Sequence, residues 1–250
     1  MFDETGIGGP HSGFPATRWT AIERVRSDDP EERRLAHQAL IEAYWKPVYK
    51  YLRIRWRRSN EAAKDLTQEF FTRLIEKEFL DGFDPARARL RTYLRVCVDR
   101  LVQNEDRAAQ RLKRGGDVQV LSLDFAGAEG ELERIEPVEP TRTEDLFERE
   151  WIRSIFATAV DRLELDCRAR DRQLDFRLFE RYDLADEVEK APTYAELAAE
   201  NGLTVTAVTN RLAATRRRFR RLVLDRLWEL TGSEAEFRQE ARSLLGRETA

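Results

Sequence analysis

The chain has 250 residues, enough for one large domain or two small ones joined by a linker, and its 12 glycines and 8 prolines are too few for a sheet-rich fold with many tight turns. Hydrophobic residues make up 41% and charged residues 36%, and the good helix formers Leu, Ala, Arg and Glu dominate, which predicts an all-α chain. No apolar stretch approaches the ~18 residues of a membrane span, and the two cysteines, Cys97 and Cys167, sit in separate helical patterns where neither a disulfide framework nor a zinc site is expected; a reducing, cytoplasmic setting fits.

The net charge of −3 argues against a nucleic-acid partner until its distribution is read. Residues 1–114 carry +5, residues 115–150 carry −8 and residues 151–250 are neutral, so an acidic segment masks basic runs on either side. An electrostatic footprint is local, and the runs matter more than the total.

In chain order, residues 1–16 read as a flexible lead-in with neither the basic nor the apolar part of a signal peptide. Trp19, Ile22 and Val25 recur at helical spacing, and Asp28-Asp29-Pro30 ends that helix and caps the next. Leu35, Ala39, Leu40, Ala43 and Tyr44 line one face, Pro47 predicts a kink or restart, and Val48, Tyr51, Leu52 and Trp56 continue the stripe. A helix from Asn60 to about Lys77 buries Ala62, Leu66, Phe70 and Leu74; Asp81 to Pro85 is a loop, and a long helix runs from about Ala86 to Arg114, stopped by Gly115-Gly116. Residues 115–145 are acidic, contain Pro137 and Pro140, and read as a linker with one short ordered piece around Leu121–Phe125. Helical patterning returns at Leu146, Trp151, Ile155, Ala159 and Leu163, then at Leu174, Leu178 and Phe179, then over 193–200 and from 204 to about 230, with a last amphipathic piece over 234–245. The domains expected are 17–114 and 146–232, joined by the linker 115–145 and followed by the tail 233–250.

The strongest functional signal is Thr193 to Leu222, which reads as helix-turn-helix. Thr193 caps the first helix with Glu196 as its capping-box partner, Gly202 supplies the turn, Thr204 caps the second helix, and Val208, Leu212, Thr215 and Phe219 form its buried stripe. The early turns of such a second helix meet base edges in the major groove, which makes Thr206, Thr209 and Asn210 candidate base readers; Arg211, Arg216, Arg217 and Arg220 fall where phosphates would lie. The same pattern also fits a solvated basic face on a helical hairpin.

The second signal is Arg89 to Gly116. Basic residues interleave there with Tyr93 and polar groups, and aromatics beside cations suit single-stranded DNA. An ordinary amphipathic helix with Tyr93 in the core fits equally well. The third is Asp65 to Lys77, where Asp65, Gln68, Glu69 and Thr72 form a polar face that either docks a partner helix or is simply solvated.

These segments, in this order, resemble an extracytoplasmic-function sigma factor of the sigma-70 family. Asp65-Leu66-Thr67-Gln68-Glu69-Phe70-Phe71 resembles the core-polymerase-binding motif, Arg89 to Arg107 the −10 promoter-melting helix, and Thr193 to Arg221 the −35-reading helix-turn-helix. Thr17–Trp19, Tyr44–Arg53, Phe83–Leu94 and Lys113–Asp124 look more specifically like a subgroup common in Planctomycetes-type bacteria. The resemblance implies two helical domains, a region 2-like bundle and a region 4-like helix-turn-helix. Their partners would be core RNA polymerase (the β′ clamp helices and β flap) and promoter DNA, with room for an anti-sigma factor.

It implies Asp65, Gln68, Glu69 and Phe70 as core contacts, with Arg91, Tyr93, Arg100, Asn104, Arg107 and Arg111 near the −10 strand. Thr206, Thr209, Asn210, Arg211, Arg216, Arg217 and Arg220 would lie near −35 DNA. The chain departs from many relatives at Asp99, an acid that would repel phosphate, and at Thr209 and Ala213-Ala214 in the recognition helix.

An enzyme is disfavoured: His11 and His37 are isolated, and no Walker, HExxH, GxSxG or paired-cysteine motif occurs, so no cofactor or metal is expected. A helix-turn-helix regulator acting without polymerase and a degenerate sigma fold serving as a protein-binding module are the alternatives. The acidic linker either folds back on the basic helices or acts as a solvated spacer, the simpler reading. The tail either packs on the second domain or binds a regulator.

Overall fold

The computed structural model describes residues 21–76, 79–109, 122–132, 143–185 and 191–246. Ten helices and no strand occur among them. Asp29 accepts the amide of Glu31 and sets Pro30 in the first turn, so α1 (Ala21–Val25) gives way to α2 (Pro30–Ile54) where the sequence predicts. The expected restart at Pro47 is not observed. α2 runs through that residue because Tyr44, Val48, Tyr51 and Leu52 on either side are buried against neighbouring helices, and this packing outweighs the one backbone bond a proline removes.

Ser59 caps α3 (Asn60–Ile75), which buries Ala63, Leu66, Phe70, Phe71 and Leu74. α4 (Leu90–Ala109) begins four residues later than expected. Asp84 ties residues 84–88 into a turn, its carboxylate accepting the Ala86 amide and its carbonyl the amides of Arg87 and Ala88. The first amide of α4, Leu90 N, donates to Glu236, 146 residues away (2.8 Å). A cap from so far along the chain leaves no local signal.

The acidic segment holds α5 (Phe125–Leu132), somewhat beyond the expected ordered piece. Asp124 accepts the Gly127 amide (3.0 Å) at its start, and Phe125 and Ala128 are buried. The second half comprises α6 (Thr143–Ala169), α7 (Gln173–Asp183), α8 (Tyr194–Glu200), α9 (Val205–Glu229) and α10 (Glu234–Leu245).

The two halves share one hydrophobic core. α6 lies along α2, and Tyr44 stacks on both Phe147 and Trp151, each at 6.4 Å between ring centroids. Burial pushes the Tyr44 phenol well above its ordinary range. Polar contacts cross the same seam. Lys50 Nζ donates to Glu150, and the guanidinium of Arg226 donates to the Ala39 carbonyl at 2.9 Å, with Lys50, Glu150 and Arg226 all buried. No described helix is long and apolar enough to cross a membrane.

Candidate functional site

The α3 face comes first. Asp65 is exposed and Gln68 and Glu69 are half-exposed, all on the side away from the core. Glu69 is steadied by Arg73 one turn on (2.5 Å), and Thr72 bonds back to the Gln68 carbonyl (3.0 Å). Phe70 is different: it is fully buried, 5.3 Å from the Phe79 ring and 5.1 Å from the Phe71 ring. A direct contact with a partner, as the sequence resemblance implied, is not available to Phe70 in this conformation. Its place is under the polar face, which it holds up by packing.

Along α4, Arg100, Asn104 and Arg107 are exposed at i, i+4 and i+7 and share one face. Arg111 lies outside the described residues. Tyr93 sits at the head of this stripe, half-buried, its hydroxyl donating to the Phe79 carbonyl (2.5 Å) and its ring 5.2 Å from Phe83. Burial, then the neighbouring Cys97, pushes its phenol up to about 12.

Arg91, expected beside them, is only 6% exposed. It is paired with Glu148 of α6 and Glu240 of α10, and its guanidinium lies 4.9 Å from the Trp151 ring centre. Arg91 therefore joins the two halves of the molecule and is off the exposed stripe.

Asp99 is also turned inward. It accepts hydrogen bonds from Tyr51 Oη (3.0 Å) and Trp56 Nε1 (2.9 Å), binding α4 to α2 and the turn after it. Those donors are neutral; the cation that offsets its charge toward an approaching phosphate is Arg95, one turn before it at 3.6 Å.

The helix-turn-helix has the geometry its sequence predicts. The Thr193–Glu196 capping box is present, Thr204 accepts the Ala207 amide at the head of α9, and Gly202 has φ +63°, in the left-handed region that favours glycine. Val208, Leu212 and Thr215 are buried, and Phe219 packs 5.1 Å from Phe179. Thr206, Thr209, Asn210 and Arg217 are exposed, and Arg220 is half-exposed.

Two arginines expected at DNA are engaged within the protein. Arg211 pairs with Asp175 of α7. Arg216 forks onto Asp183, donates to Tyr194 Oη (3.2 Å) and lies over the Tyr182 ring, and the Asp183 carboxylate raises its guanidinium above the ordinary value. Both hold α9 against the helices behind it. Arg221, which the sequence reading did not single out, is exposed one turn beyond Arg217. Its signal was present in the arginine run, but nothing local separated it from Arg218, which is held by Asp166 (2.8 Å).

The acidic helix α5 docks on α2. Lys46 and Lys50 donate to Glu131 at 2.7 and 2.6 Å, and Arg53 and Tyr49 donate to Glu129. The Phe125 ring meets Trp45 and Tyr49 at 5.8 and 5.1 Å. The Arg53 guanidinium holds the Glu129 carboxyl below the usual range. At Glu131 burial acts upward, but the hydrogen bonds from Lys46 and Lys50 outweigh it, and the net shift is also down. Among the described residues, no group of acidic, histidine or cysteine side chains could hold a metal ion.

The fold is thus that of an all-α protein, a helical bundle followed by a helix-turn-helix unit. Residues 40–112, from within α2 to beyond α4, match the family model of Sigma-70 region 2. The match supports a sigma-70 family member and covers under a third of the chain, the helix-turn-helix lying outside it. Comparison with curated proteins and with solved structures gave no match.

Proposed function

We propose that the chain is a sigma factor of the extracytoplasmic-function group, Planctomycetes-type, that binds core RNA polymerase and directs promoter recognition and initiation. The observation that carries this reading is the region 2 match over α2–α4, on which Asp65, Gln68 and Glu69 line the outward face of α3. These three are the core contacts. Arg100, Asn104 and Arg107, with Tyr93 as the aromatic at their head, meet the −10 strand, where phosphate contacts position the protein and unstacked bases find a ring. Thr206, Thr209 and Asn210 read −35 base edges, and Arg217 and Arg220 bind the flanking phosphates. The sites of action are the cytoplasm and the promoter, and an anti-sigma partner is compatible with the exposed α3 face.

The test is run-off transcription with core polymerase on a genomic fragment library, sequencing the 5′ ends. Wild type should give discrete starts that vanish with Asp65→Ala/Gln68→Ala, two exposed or half-exposed positions whose loss leaves the core intact. Core binding without transcripts would instead indicate a protein-binding module. DNA binding without core binding would indicate a free-standing helix-turn-helix regulator.

A further inference from the structure

The tail α10 reaches across to the other half of the molecule. Glu236 accepts the Leu90 amide there, at the head of α4 (2.8 Å), and also the Gly232 amide of the turn that leads into α10 (2.9 Å). Glu240 is paired with Arg91 and with Arg89 (3.1 Å). Both carboxylates are buried, 7% and 1% exposed. Behind them Phe237 packs on Trp228 of α9 (5.0 Å), and Phe83, beside Tyr93, closes on Gly232 so tightly that a Cβ there would lie 2.5 Å from its ring. Two carboxylates thus occupy the first amide of a 20-residue helix and two arginines at its start, Arg89 just before it and Arg91 within it, groups suited to a phosphate.

We propose that α10 is a self-supplied competitor for nucleic acid: its Glu236 and Glu240 occupy the amide of Leu90 and the guanidinium groups of Arg89 and Arg91, so a DNA backbone reaches the head of α4 only when α10 swings away. The inference rests on the reading of α4 as the −10 helix. Arg91 is covered by Glu240 of α10 together with Glu148 and Trp151 of α6, while Arg100 and Arg107 are exposed. α10 is suited to such a motion. It is the last helix described, its hinge is the short Thr231–Ser233 stretch, and α6 continues to hold the two halves together through Lys50–Glu150 when it leaves. A head of α4 open about one time in ten lowers apparent affinity about tenfold.

The test compares the full-length chain with two variants that release α10 by different means. Glu236→Gln/Glu240→Gln removes the charges; Gly232→Val leaves every charge in place and wedges Phe83 away. Hydrogen exchange at the Leu90 amide reads the release, and fluorescence anisotropy with a labelled single-stranded 20-mer at low salt reads DNA binding. Both variants should keep their helical circular dichroism, lose protection at Leu90 and bind the oligonucleotide about tenfold more tightly.

Retained protection in both variants, or release without tighter binding, would overturn the competition. An Arg100→Ala/Arg107→Ala variant separates the two ideas. Binding that depends on those arginines but gains nothing on release overturns the competitor alone, whereas binding indifferent to them overturns the −10 reading.

Discussion

Lys50 of α2 and Glu150 of α6 form an ion pair at 2.5 Å, with both side chains almost wholly shielded from water, 1% and 3% exposed. Lys50 has a second carboxylate in Glu131, which is 44% exposed, and Glu150 has a second cation in Arg153, which is 66% exposed. The buried pair is therefore the inner link of a chain of charges that runs out to solvent at both ends. Removing one member leaves the other desolvated. Glu150→Ala should lower stability by about 3–5 kcal/mol, and Lys50→Met/Glu150→Leu, which leaves no buried charge, should recover most of the loss. Urea denaturation with a fixed slope measures both, and a double variant no better than the single one would show that the pair is not the source of the loss.

Asp99 offers a test of whether an acid on the −10 helix is structural. Asp99→Ala strands Tyr51 Oη and Trp56 Nε1 and should cost about 1–3 kcal/mol, while Asp99→Asn, which keeps an acceptor oxygen, should cost less. Thermal unfolding gives the ordering. If the two variants are equally stable, the hydrogen bonds contribute nothing and the charge alone matters.

The linker helix should come off in acid. Glu129 and Glu131 are held below 4.5 in the docked state, so their contribution is complete above about 4.5 and is lost as pH falls through the lowered docked values. The α5 amides should therefore lose exchange protection as pH falls below about 4.5, ahead of the helices beneath. Glu236 behaves oppositely. Burial raises its carboxyl, so its cost is present at neutral pH and is relieved on acidification through the raised value. Loss of α5 protection only together with global unfolding would count against this account.

The turn of the helix-turn-helix should be sensitive to a single methyl group. Open space surrounds a Cβ at Gly202, but φ is +63°, so Gly202→Ala should cost about 1–2 kcal/mol through backbone strain alone. Thr193→Ala, which removes the capping-box oxygen, should cost about 1 kcal/mol. The two sites are separate in the motif, and chemical denaturation of the double variant should give close to the sum.

The sequence by itself determined most of the helices, the caps at Asp29, Thr193 and Thr204, the turn at Gly202 and the exposure of Thr206, Thr209 and Asn210. Each of these depends on residues within about four positions of one another, and helical periodicity and capping are set at that range. The family likeness was legible in the same way, in the contiguous run Asp65 to Phe71.

Only the tertiary structure decided which charges are spent inside the molecule. Arg91, Arg211 and Arg216 look like Arg100 and Arg217 in the sequence, yet their partners are Glu240, Asp175 and Asp183, more than thirty residues away. The start of α4, the inward turn of Asp99 and the docking of α5 were hidden for the same reason. A long-range ion pair or cap depends on where two helices meet in space, and no local periodicity encodes that meeting.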